Sequence, residues 1–148
     1  MPLSTALHFV NVFFAGILAG MEIVIHYGLR APSATLSDRS QLQLRQALVL
    51  RLRVLVPACF VPTALSSVAL AVLDEARAGL WLRGGGLFLM LVWIAIRVVG
   101  TVPINSATLT WDLESPPESW KAQVARAERF HDVGVWAAVG WFVSALLT

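Results

Sequence analysis

The chain has a single cysteine, Cys59, and a lone thiol closes no internal disulfide. Charge is scarce as well: Asp, Glu, Lys and Arg make up 14% of 148 residues, far below the share in an ordinary soluble domain. The basic residues form no run interleaved with stacking aromatics, so the formal net charge of +2 is no footprint for nucleic acid. What fills the chain instead is apolar. Hydrophobic residues account for 57% of it and the mean hydropathy is +0.73. That balance excludes a soluble enzyme and a disordered tail. It predicts one all-α domain, residues 1–148, immersed in lipid.

The charges sit in blocks, and the gaps between them match the roughly 20 apolar residues a helix needs to cross a bilayer. Residues 7–25 are interrupted only by His8, Asn11 and Glu22, residues 54–73 carry no charge, and residues 87–104 carry only Arg97. The fourth stretch, 133–147, has 15 residues and must recruit Glu128, Arg129, Phe130, His131 and Asp132. Ser115, Pro116, Pro117 and Glu118 read as a cap and first turn, which starts that helix near residue 116. The first stretch lacks a basic leader and a small-residue cleavage site and is read as a retained span. Behind Ser37, the amphipathic run 38–53 lies along the interface or leads into the second span. Pro57 and Pro62 remove two backbone donors there, and kinks are tolerable if neighbouring helices or hydroxyls such as Thr63 and Ser66 satisfy the freed carbonyls. Residues 74–86 read as a turn in which Gly84, Gly85 and Gly86 form a flexible helix entry. They lack the preceding strand and the Lys-Ser/Thr of a phosphate loop. Gly16 and Gly20 are spaced for close helix approach. The expected fold is an integral membrane four-helix bundle with a long amphipathic lead-in to helix 2 and an extended helix 4.

Basic residues set orientation. Arg77 and Arg83 fall on the side of the N-terminus. Arg30, Arg39, Arg45, Arg51, Arg53, Lys121, Arg126 and Arg129 fall on the other, and Arg97 is within a span. The bias predicts that this second side is cytoplasmic and that both termini are not.

Ionisable groups inside a span cost roughly 2.5–3.5 kcal/mol each on insertion scales, so each calls for a partner or a purpose. Glu22 and His26, four residues apart, share a face at the cytoplasmic end of the first span. Glu128 and His131, three apart, share a face where the fourth span begins. The third span ends at the same level with Arg97, Thr101 and Asn105, followed by Trp111. Alternation of chain direction therefore brings Glu22, His26, Asn105 and His131 to one depth, as candidate catalytic groups. Arg97, Thr101, Trp111 and Trp120 are candidate substrate contacts. His8 lies five helical turns from His26, at the opposite surface. Two further readings of the cluster stand beside catalysis. Glu22, His26, Glu128 and His131 form a candidate ligand set for iron or copper, because Glu-x-x-His is the spacing of carboxylate-bridged metal bundles. Alternatively, the cluster is a structural network in which Arg97 neutralises Glu22. A bis-histidine haem through His26 and His131 has no specific support in the sequence. The tryptophans read first as interface anchors, with a cavity for a flat ligand as their second role.

The segment Thr101-Val-Pro-Ile-Asn105, followed by Leu109, Trp111, Trp120, Arg126 and Phe130-His131, resembles the anthrone-oxygenase-like family of small four-helix membrane proteins. The overall layout is similar across nearly the whole chain, while the motifs span residues 101–131. The resemblance implies oxidation of an anthrone-type phenol to a quinone with molecular oxygen. Family members often carry an arginine shortly after the histidine, whereas Asp132, Val133 and Gly134 follow His131 here.

The expected function is thus a membrane-embedded oxygenase or related oxidoreductase that takes a hydrophobic aromatic molecule from the bilayer. His131 or His26 acts as base, Glu22 orients His26, and Asn105 binds the developing oxyanion. The expected partners are that small molecule and the lipid, without nucleic acid, and a homo-oligomer stays open. The alternative is a non-catalytic membrane protein that binds a lipid or hydrophobic ligand, or serves as an assembly partner.

Overall fold

Four helices account for almost all of the computed structural model, which describes residues 3–73 and 79–148. They are α1 (Leu3–Ala34), α2 (Asp38–Leu73), α3 (Leu80–Thr108) and α4 (Trp120–Leu147), each long and apolar enough to cross a membrane. The described residues contain no strand. The chain is an all-α, multi-pass integral membrane protein.

The lead-in to the second span is no separate element. Ser37 caps it, its Oγ accepting from Ser40 N at 3.3 Å, and α2 runs on without a break for 36 residues. At about 1.5 Å per residue this helix extends well beyond the hydrocarbon core. Pro57 and Pro62 lie within it. The Thr63 and Ser66 hydroxyls donate to the carbonyls of Cys59 and Pro62, at 2.7 and 2.6 Å. The carbonyls orphaned by the prolines are those four residues before them, Arg53 and Ala58. The two hydroxyls thus serve the carbonyls of Cys59 and Pro62 and not the freed ones.

Two boundaries differ from the sequence reading. The helix expected from residue 116 starts at Trp120. Ser115 donates its hydroxyl to Asp112 rather than capping, and a turn closed by Trp120 N on Pro117 O precedes the helix. At the other end, Gly84, Gly85 and Gly86 are helical and not an entry segment, since α3 begins at Leu80. In lipid no water competes for the backbone, so glycine weakens a helix little. Gly86 is required by packing: a Cβ there would collide with Ser144 of α4, whose Oγ donates to Leu82 O at 2.5 Å. The remainder of the expected turn, with Arg77, lies outside the described residues. Of the Gly16 and Gly20 pair, only Gly16 makes a close approach, to Phe142.

Both α1 and α3 contain one wide, π-type stretch, Val24–Leu29 and Arg97–Thr101. Each is followed by a proline, Pro32 and Pro103. A proline ring crowds the carbonyl four residues earlier and offers it no N–H. Those carbonyls belong to Gly28 and Val99, inside the wide stretches, where the looser winding relieves the crowding. Such insertions are frequent at functional sites.

Around the bundle the order is α2, α1, α4, α3. Contact is extensive between α2 and α1, α1 and α4, and α4 and α3, whereas α2 and α3 meet along little of their length. The core packs Leu18, Met90, Trp93, Ala137, Ala138 and Trp141 at the closed centre. Trp93 and Trp141 are therefore core residues rather than anchors, clustered with Phe60, which stacks on Trp93 at 5.1 Å. Trp81 and Trp136 remain exposed, as membrane-facing tryptophans do. The thin seam between α2 and α3 is where the molecule is hollow.

Candidate functional site

Glu22 is the least accessible charged side chain of the described residues, at 1% exposure. It is held from both sides. Arg97 of α3 reaches one carboxylate oxygen through Nη2, and His131 of α4 places Nε2 2.5 Å from the other. A carboxylate only accepts, so Nε2 carries the proton in this contact and the lone pair is on Nδ1. Three helices are thereby tied by one charged chain, Arg97–Glu22–His131. The guanidinium of Arg97 also lies 5.0 Å from the centroid of Trp93. Thr101, buried one turn on, donates to the Arg97 carbonyl at 3.4 Å. Neutralisation of Glu22 by Arg97, read from the sequence as the structural alternative, is present in the structure.

His26 is close but differently engaged. Its ring lies 5.5 Å from that of His131, and its Nε2 is 2.8 Å from Asp132 Oδ1. Glu22 therefore positions His131 and not His26, because the wide stretch that begins at Val24 shifts the angular step between residues 22 and 26. Glu128 turns away from His131 to meet Arg30 Nε at 3.0 Å, and Arg30 also approaches Asp132 at 3.5 Å. The four-residue ligand set expected for iron or copper is thus divided into two ion-pair systems, Glu22 with His131 and Arg97, and His26, Asp132, Arg30 and Glu128. Among the described residues no group of three or more His, Cys, Asp or Glu side chains is spaced to hold a metal ion. Asp132, where the sequence departs from the anthrone-oxygenase-like pattern, has a definite place as the partner of His26.

Between α2 and α3 lies a cavity of about 500 Å³. Its apolar wall is built by Leu48, Leu52, Val56 and Phe60 of α2 and by Trp93 of α3. Its polar wall carries Arg97, Thr101 and Asn105 from α3, Glu128 and His131 from α4, and Arg45 from α2. The volume is of the size that takes a small organic ligand, and the mixture of apolar lining with a few convergent polar groups is the usual composition of such sites. Exposed Arg53, Pro57, Val102 and Ser106 border it. They belong to α2 and α3, whose contact is the least extensive between neighbours in the bundle, so the opening lies between these two helices.

Asn105 reaches this cavity, but its carbonyl oxygen accepts from Arg45 Nη2 at 2.9 Å, which leaves only the amide NH₂ to donate. Trp111 and Trp120 do not line it. Trp111 is in the loop after α3, where its carbonyl accepts from Gln46 at 2.9 Å. Trp120 is buried against a smaller pocket with His26 and Arg30.

Arg45 was hidden in the sequence by its setting in an amphipathic run, where a basic residue reads as a solvated face. The signal that could have singled it out is Leu42, fully buried one turn earlier, in a run that continues unbroken into a span. Phe60 had no polar signature at all. Compared with family models, curated proteins and solved structures, the chain matches none of them.

Proposed function

We propose that the protein is a membrane-embedded oxidoreductase of the oxygenase type, which admits a hydrophobic, phenolic, anthrone-like aromatic through the α2–α3 seam and deprotonates it at His131. The observation that carries this reading is a buried Glu–His pair, 2.5 Å apart, at the edge of a 500 Å³ apolar cavity. In such a pair the carboxylate fixes the imidazole tautomer and stabilises the imidazolium formed on proton uptake. His131 Nδ1 has no protein partner among the described residues and is the proton acceptor. Arg97 holds Glu22 ionised in lipid. The NH₂ of Asn105 donates to the oxygen on which charge collects as the carbon acid ionises.

The net reaction is a methylene between two aromatic rings plus O₂ giving a carbonyl plus water. The substrate loses two C–H protons and four electrons, and O₂ takes up all of them. His131 receives the first proton and returns it to the reduced oxygen. The resemblance of residues 101–131 to the anthrone-oxygenase-like family supports the same assignment, and the eight-to-two bias of basic residues supports a cavity mouth toward the cytoplasmic leaflet with both termini across the membrane.

The test is oxygen uptake and quinone absorbance with anthrone, using protein in lipid nanodiscs against empty nanodiscs. Turnover above the spontaneous rate is expected, with a loss of about 10²-fold or more in His131→Ala. A rate equal to that of empty nanodiscs, or an unaffected variant, ends the reading. For orientation, a cysteine replacing Ser115 in a Cys59→Ala background should react with an impermeant maleimide only in opened vesicles of cytoplasmic-side-in membranes.

A further inference from the structure

The charges around the cavity do not cancel. Arg97 is matched by Glu22 and Glu128 by Arg30. Arg45 and Arg53 remain, and no carboxylate of the described residues lies within 4 Å of either. Arg53 is exposed at the rim, where solvent and lipid headgroups serve it. Arg45 is different. It is half-buried on the cavity wall, held by two neutral acceptors, Asn105 Oδ1 at 2.9 Å and Thr108 Oγ1 at 3.4 Å. A guanidinium has five N–H donors in a fork suited to carboxylates, and among the described residues Nη1 meets no protein acceptor. Glu128 faces it across the cavity but is spent on Arg30. The Gln46 side chain beside it is turned outward to the carbonyls of Thr108 and Trp111.

Arg45 also stands at one end of a graded wall. Beyond it the α2 face runs through Leu48, Leu52 and Val56 to Phe60, stacked on Trp93. A ligand that fills this space meets the half-buried Arg45, without a carboxylate partner, at the interfacial end, and at the deep end Leu52, Val56, Phe60 and Trp93, with Arg97 over Trp93 already paired to Glu22. We infer that the cavity binds an amphiphilic aromatic acid, with its single carboxylate on Arg45 and its flat apolar body directed toward Phe60 and Trp93. The inference deepens the proposed function by adding a charge to the substrate, and it rests on that reading in taking this cavity as the substrate site. Asn105 gains a second role, since it aims the fork of Arg45 as a positioning residue.

The experiment measures binding without turnover, in neutral detergent under argon, with two probes of the same body: anthracene carboxylate and anthracene methanol, followed by their fluorescence. The wild type should bind the acid at least tenfold more tightly than the alcohol, a difference of about 1.4 kcal/mol. Arg45→Gln should erase that preference while keeping the alcohol's affinity, and Arg45→Lys should retain part of it. Val56→Trp, which fills the cavity and leaves Arg45 in place, should weaken both probes. Equal affinity of the wild type for the two probes overturns the inference even if Arg45→Gln fails to fold, and so does an unchanged preference in a folded Arg45→Gln. The two proposals separate cleanly. Acid-selective binding with no turnover of any anthrone leaves this inference standing and removes the oxygenase, whereas turnover of anthrone by a wild type that binds the acid and the alcohol equally does the reverse.

Discussion

The two ends of the bundle solve the same problem in opposite ways. At the end near the N-terminus, Asn11 donates its amide to the Thr63 carbonyl and approaches the hydroxyls of Ser66 and Ser67, at 3.0, 3.0 and 2.6 Å, and Trp141 donates to Ser67 at 3.1 Å. These hydrogen-bonding groups are neutral, and the space beside them, which Arg83 also lines, is about 20 Å³, too small for more than a water molecule. At the other end the polar groups are ions, and they border a space of about 500 Å³. At the first end the hydrogen bonds between helices come from an amide, hydroxyls and an indole. Buried ions bring a larger desolvation cost. Their presence beside a hollow supports the proposal that the second end holds a ligand.

Breaking the charged end should have the largest effect. Glu22→Gln removes the counter-ion of Arg97 within the membrane, and the expected loss is about 3–5 kcal/mol, read as a shift in unfolding by denaturing detergent. Glu22→Leu combined with Arg97→Leu should recover most of that stability while turnover remains absent, because an apolar pair has no charge left to desolvate. If the double variant stays as unstable as the single one, the ions are structural after all. Gly100→Ala comes next. A Cβ at this position would occupy the space of the Phe130 ring, the residue beside His131, and the expected cost is about 1–3 kcal/mol together with a displaced histidine. Its readout is unfolding and, in the same sample, affinity for the anthracene probes.

At the neutral end, Asn11→Leu should cost only about 1 kcal/mol, in line with hydrogen bonds between membrane helices, and leave ligand binding unchanged. A change in affinity would show that the two ends are coupled. The smallest effect is expected at Gly20→Ala, where a new Cβ meets nothing within 4 Å: stability should stay within about 0.5 kcal/mol of the parent in the same unfolding assay.

Much of this architecture is legible from the chain alone, because lipid permits so few solutions to backbone hydrogen bonding. Uncharged runs gave the four spans, and alternation of direction placed Glu22, Asn105 and His131 at one depth. Pairing was less legible. Helical spacing matched Glu22 with His26 and Glu128 with His131, but spacing along one helix says nothing of a neighbour's rotation, and the observed partners all come from other helices. Arg97 was the exception, since the acid and the cation were isolated in otherwise apolar spans and had little choice. Arg45 was missed because a solvated charge and a cavity-lining charge are identical in an amphipathic pattern. The prolines after Asp112 were misread for a related reason: Ser115 has the chemistry of a cap, yet its hydroxyl is taken by Asp112.

The wide stretch at Arg97–Thr101 has a geometric result for everything downstream of it. It takes up an extra residue with little gain in height, so it acts as a phase shifter within α3. Rewinding this stretch to regular pitch with every residue retained would rotate each later side chain by about 100°. Asn105 and Thr108 would then swing away from Arg45 together, while Trp93 and Met90 kept their places in the core. One residue of chain length thereby sets the relative azimuth of the packed and the hollow halves of a single helix.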